Sequence, residues 1–146
     1  MIRMDGVVNV GTIPALDKTL AFLSARMETI AENIANADTP GYRTKRLDAA
    51  KFQGALRRAM DERDPTPGSA LRISASDEFR ETAGGRLIFT PIHRPQQNIL
   101  FHDRSDMRIE EQMKDLAETT MMHQAVVELL KGQYDGLKKA INGRNI

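Results

Sequence analysis

From Ile13 onward the apolar positions fall at Ile13, Leu16, Leu20, Leu23, Met27, Ile30 and Ile34, three and four residues apart in turn. That spacing places them on one stripe of an α-helix and forms an a/d heptad seam. Pro14 sits in the first turn, where its missing N–H costs no helical bond. At the other end, Pro40 pushes Thr39 out of helical geometry and Pro40-Gly41 suits the centre of a type II turn. The pattern therefore predicts a helix over 13–36, about 35 Å long. A second seam runs through Ile109, Met113, Leu116, Thr120, His123, Val127, Leu130, Tyr134, Leu137 and Ile141. Asp106, Glu110 and Glu111 lie near its start and Lys138 and Lys139 near its end, the arrangement the helix dipole favours. With Asn142-Gly143 as a stop, this predicts a helix over 106–142, roughly 50 Å long.

Between these helices the pattern changes. All prolines but Pro14 lie in 37–105. Phe52, Ala55, Leu56, Ala59 and Met60 predict a short helix there. Leu71 and Ile73 alternate with polar residues, as do Leu87 and Phe89 after Gly84-Gly85, which suggests a small β-hairpin with Pro91 ending its second strand. Residues 1–12 read as a flexible N-terminus. The expected fold is mainly α. Its core domain is formed by 13–36 plus 106–142, two long terminal helices packed as an antiparallel-type coiled-coil pair, with 37–105 an irregular middle segment projecting from one end. An exposed Leu, Ile or Met stripe forfeits on the order of 2 kcal/mol per side chain, so each seam needs cover. The other terminal helix supplies it, or another copy does.

Composition narrows the function. Apolar residues make up 40% and charged residues 28% of the 146, aromatics only 5%, and Trp is absent, so a core built mainly from Leu, Ile, Val, Met and Ala is expected, which suits helix-on-helix packing. A net charge of +1 offers no general pull toward nucleic acid or an anionic membrane. There is no cysteine, hence no disulfide, thiolate metal site or Cys nucleophile. Met1 to Gly11 lacks the apolar run of a signal peptide or a membrane anchor, so any export is expected to proceed without signal-peptide cleavage. On the outer side of the last helix, Met122, Val126 and Leu129 are followed by Gly132 and Gly136. Mid-helix glycines cost about 1 kcal/mol each relative to Ala, and a close neighbour would account for them.

The most specific text is Asn33-Ile34-Ala35-Asn36-Ala37-Asp38-Thr39-Pro40-Gly41-Tyr42-Arg43. It resembles the signature of the flagellar rod and hook axial proteins, in which it closes the N-terminal helix and precedes a basic residue. Upstream, Arg26-Met27-Glu28 and Ile30-Ala31-Glu32 are similar to the same family's helix. The C-terminal run from Glu110-Glu111-Gln112-Met113 to Leu137-Lys138-Lys139-Ala140-Ile141-Asn142-Gly143-Arg144 resembles that of the short, proximal rod members. The resemblance implies a non-enzymatic structural subunit of the basal-body rod that polymerises through its terminal helices as part of the motor's drive shaft. It further implies export through the type III apparatus to a periplasmic rod. The implied partners are copies of itself, other rod proteins and the adaptor on the inner-membrane ring. In that reading the assembly residues are Leu16, Leu20, Leu23, Met27, Ile30, Ile34, Ile109, Met113, Leu116, Val127, Leu130, Tyr134, Leu137 and Ile141. The family motif is Asn33, Asn36, Thr39, Pro40, Gly41 and Tyr42.

Catalytic patterns are missing from the sequence. His93, His102 and His123 share no metal-ligand spacing, and no phosphate loop, nucleophile elbow or His-Glu-x-x-His occurs. Arg43, Lys45, Arg46, Arg57 and Arg58 are interleaved with acids and have few stacking aromatics, so no nucleic-acid partner, cofactor or metal is expected, and no membrane insertion. The alternative is a cytoplasmic helical-hairpin adaptor that binds a partner helix. It shares the heptads but gives no reason for the Thr-Pro-Gly-Tyr turn.

Overall fold

The computed structural model describes residues 11–66, 68–93 and 106–143. Expectations for residues 1–10, and for the run 94–105 that contains His102, lie outside the described residues. The first helix, α1, spans Ile13–Ala35, with Pro14 in its opening turn. The last, α3, spans Asp106–Asn142 and ends where Gly143 N–H donates to the Lys139 carbonyl at 2.8 Å. The two pack along each other. Asn33, near the end of α1, reaches Gln112, near the start of α3, at 3.0 Å, and Arg26 lies 4.0 Å from Asp115. The helices are therefore antiparallel. With equal rise per residue, α1 begins opposite about residue 132 of α3, and the last ten or so residues of α3 run on past it.

Between the terminal helices the chain forms a short helix α2 (Ala49–Asp61) and four short strands: β1 (Lys45–Arg46), β2 (Phe79–Glu81), β3 (Leu87–Phe89) and β4 (Ile92–His93). Asp48 caps α2, its carboxylate accepting from Lys51 N–H at 3.1 Å. β2 and β3 form an antiparallel hairpin in which Phe79 pairs with Phe89 and Glu81 with Leu87. β1 and β4 form a second antiparallel pair.

The hairpin differs from its sequence expectation in the first strand. Leu71 and Ile73 are buried but form no strand. Ile73 N–H is taken by the Glu81 carboxylate at 2.8 Å instead of a neighbouring backbone, so the alternating pattern reflects burial of an irregular segment.

The middle segment also does not project. The main core joins Ala15, Phe22 and Leu23 of α1 to Leu47, Phe52, Ala55, Ala59, Leu71, Ile73 and Phe79, with Val126 of α3 packed against it. Phe22, off the heptad seam, stacks on Phe52 with ring centroids 4.3 Å apart and planes 6° apart. Phe52 in turn meets Phe79 edge-on at 5.6 Å. α1 is therefore covered by α3 on one side and by the middle segment on the other. Beside this core Lys18 of α1 pairs with Glu81 at 3.1 Å, and both side chains are nearly buried. Glu78 is also buried, its carboxylate accepting Asp48 N–H at 2.7 Å and facing Lys51.

Candidate functional site: the Asn33 junction and the faces of the last helix

Asn33 has both an amide acceptor and amide donors, and between them they reach three other parts of the chain. Its Nδ2 donates to the Lys45 carbonyl at 2.8 Å and to Gln112 Oε1 at 3.0 Å. Its Oδ1 accepts from Lys45 N–H at 3.0 Å and from the Tyr42 hydroxyl at 3.1 Å. The residue is 3% exposed. Four bonds match the full capacity of an Asn side chain, so one residue ties α1, the following turn, β1 and α3 together. Asp would lose both donors, and Gln would carry the amide a methylene too far.

The motif residues after it set the geometry. Tyr42 N–H donates to the Thr39 carbonyl at 3.2 Å, closing a turn with Pro40 and Gly41 at its centre. Gly41 has φ +77°, the left-handed region that a type II turn requires there. Asn36 Nδ2 donates to the Glu32 carbonyl at 2.9 Å and occupies an end-of-helix acceptor. Asn36 Oδ1 accepts from the Thr39 hydroxyl at 3.4 Å. Lys45 also donates to Glu32 at 2.7 Å. Burial, then the Glu32 carboxylate, push the Tyr42 phenol above its ordinary value, with Lys45 opposing. Its proton is held where Asn33 uses it.

The seam residues have varied surroundings. On α1, Leu23 and Ile30 are buried, and Leu16, Leu20, Met27 and Ile34 are half-buried. On α3, Ile109, Leu116, Val127, Leu130 and Leu137 are half-buried, whereas Met113, Tyr134 and Ile141 are exposed, Met113 to 56%. The buried stripe of α3 is turned by about one position from the apolar seam and centres on Thr119, which is 0% exposed. Thr119 satisfies its hydroxyl on the Asp115 carbonyl at 2.6 Å, as Thr29 of α1 does on Ala25 at 2.8 Å. A back-bonded threonine can enter a helix interface without an orphaned polar atom. Tyr134 and Ile141 are exposed because α1 has already begun by that level and nothing described lies opposite them.

Sequence reasoning missed Gln112, Thr119, Phe22 and the Lys18–Glu81 pair. Three are polar at the interface and Phe22 lies off the seam, so a count of apolar heptad positions passes over all of them. The spacing of Phe22 and Phe52 carries no short-range signal. Among the described residues no group of three or more His, Asp or Glu could hold a metal ion, and no helix is long and apolar enough to cross a membrane.

The model of the flagella basal body rod protein family matches residues 18–43, the stretch from the middle of α1 through Asn33 to the turn. Similarity to whole proteins runs much further. The chain is 26% identical over 136 residues to the flagellar basal body rod protein FlgB of Bacillus subtilis, covering 91% of this chain and 95% of that protein. It is 29% identical over 130 residues to FlgB of Salmonella typhimurium (88% and 91%). To FlgB of Escherichia coli it is 28% identical over 135 residues (88% and 91%).

Proposed function

We infer that this chain is a FlgB-like structural subunit of the bacterial flagellar basal-body rod. One observation carries the reading: similarity to FlgB proteins spans about nine-tenths of both chains rather than stopping at the short signature. The geometry supports it. A rod that transmits torque needs many extended contacts and stiff subunits rather than one concave site, because load is shared across packed seams. The antiparallel α1–α3 pair, braced by the middle segment and joined at Asn33, supplies such a subunit. The role is structural rather than enzymatic. The subunit assembles with copies of itself and other rod proteins through its terminal helices. In the fuller form of the proposal it leaves the cytoplasm through the type III export apparatus, stands in the periplasmic rod and meets the adaptor on the inner-membrane ring.

The test is deletion of the gene in its own host followed by complementation with a tagged chain. We expect loss of swimming on deletion, recovery on complementation, and the tag in purified basal bodies at the membrane-proximal end of the rod. A tagged chain that restores swimming yet stays in the cytoplasm would favour the adaptor reading.

A further inference from the structure

The outer stripe of α3 is apolar, exposed and small-featured. Met121 is 70% exposed and Leu129 59%, and Gly132 and Gly136 follow at helical spacing. A Cβ added at either glycine would meet nothing within 4 Å. The described residues therefore give no reason for them, although each weakens the helix by about 1 kcal/mol relative to Ala. Among the described residues, nothing approaches either glycine. Along one edge of the stripe Lys131, Asp135 and Lys139 sit at i, i+4 and i+8, reading plus, minus, plus. Lys131 has an ion pair with Glu128 at 3.8 Å, with both side chains more than two-thirds exposed, a contact weak enough to exchange.

A surface of matching shape and charge lies elsewhere on the same molecule. Between α1 and β3 runs a shallow groove of about 420 Å³. Its floor is Ala21, Ser24 and Ala25, and Leu87 and Phe89 form its apolar wall. Asp17, Glu28, Lys18 and Arg86 add two negative and two positive charges, with Lys18 already paired to Glu81 at 3.1 Å. Partial burial raises the Asp17 carboxyl above its ordinary value, with Lys18 opposing. Asp17 to Glu28 covers about 16 Å of helix, as does Leu129 to Ala140.

We propose that the outer stripe of α3 from Leu129 to Ala140 in one copy docks in the α1–β3 groove of a second copy, small residues against small residues and lysines against Asp17 and Glu28. Val126, which the sequence pattern groups with Met122 and Leu129 on the outer side, instead packs against the core. α3 meets α1 through Gln112 and Asp115, and Leu129, Gly136 and Gly132 lie on the flank, roughly 70–130° around the helix from that contact. The proposed contact is between molecules. Two different surfaces are used, so the contact is heterologous: each copy has one groove and one stripe left over for the next, and the series grows as an open helix unless its rotation closes. This inference rests on the rod-subunit reading and specifies which faces meet.

The lack of cysteine makes cross-linking clean. Ala21→Cys in the groove and Gln133→Cys beside the stripe, placed in two separately tagged full-length chains expressed together, are treated in isolated basal bodies with a short bismaleimide. We expect a linked dimer only when both variants are present. Asp17→Lys with Glu28→Lys should lower its yield roughly tenfold, and adding Lys131→Glu with Lys139→Glu should restore it, since like-charge juxtaposition is costly and its relief is specific. Independently, Gly132→Ala with Gly136→Ala should raise the denaturation midpoint of the isolated chain while lowering that yield. No dimer although both variants are recovered in basal bodies would overturn the docking alone. So would equal dimer from either variant by itself, or an adduct with a protein of another size. Failure of the unsubstituted chain to enter basal bodies would overturn the rod reading as well.

Discussion

Asn33 couples distant parts of the molecule, because its four hydrogen bonds reach three other pieces of chain: Lys45 twice, Tyr42 and Gln112. Asn33→Ala leaves the Lys45 amide, the Tyr42 hydroxyl and Gln112 without that partner in a nearly dry place. With about 1–3 kcal/mol for an abandoned polar group, and partial rescue by water, we expect a loss of roughly 2–4 kcal/mol in urea unfolding. Tyr42→Phe removes one bond and should cost only about 1 kcal/mol. The same pair gives a pH signature. Because the folded state raises the Tyr42 phenol above 10.0, its contribution is complete below that value and is lost as pH rises through the folded value. Stability should fall on the alkaline side, and Tyr42→Phe should flatten that fall. An unchanged slope would mean the hydroxyl is not held as described. The motif was legible in sequence, and so was its turn, because Pro40-Gly41 and the left-handed Gly41 follow from local sterics alone. Its purpose was not. Gln112 is 79 residues away from Asn33, and no local pattern couples them.

At the level of elements, the two heptad seams gave the long helices and their boundaries to within a residue, since 3-4 spacing is a local property that tertiary contacts seldom overrule. They did not give the rotation of α3. Polar Thr119 and Gln112 face inward while Met113 faces out, because α1 offers Asn33 and Arg26 as partners on that side. Alternation at Leu71 and Ile73 misled for a related reason: a buried side chain looks the same in sequence whether its backbone pairs with a strand or with Glu81. The aromatic stack shows where α1 is secured to the middle segment. Phe52→Ala removes a buried ring touching Phe22, Phe79 and Phe89 and should cost about 3–5 kcal/mol in chemical denaturation. Met113→Ala, on the same chain but outside the core, should stay within about 0.5 kcal/mol of wild type. If both cost the same, the middle segment does not carry the core.

For the whole molecule the useful contrast is between folding and assembly. Leu23→Asp puts a charge where 4% of the side chain is exposed, and we expect it to abolish swimming by unfolding the α1–α3 pair. Leu130→Asp, at a half-buried site, should do the same. Leu129→Asp alters a residue that is 59% exposed, so the isolated chain should keep its denaturation midpoint, yet swimming should stop if that face is covered in the rod. Normal motility with Leu129→Asp would leave the outer stripe without a role.

A helix pair with a rider on its flank could swivel if it were fastened at one spot by a single bond. Here the fastening saturates its central residue, so no lone pair or proton is left over to slide to a new partner, and a tilt of the middle segment breaks contacts instead of exchanging them. In mechanical language the junction has stiffness without backlash: a twist applied in either direction meets the same resistance at once.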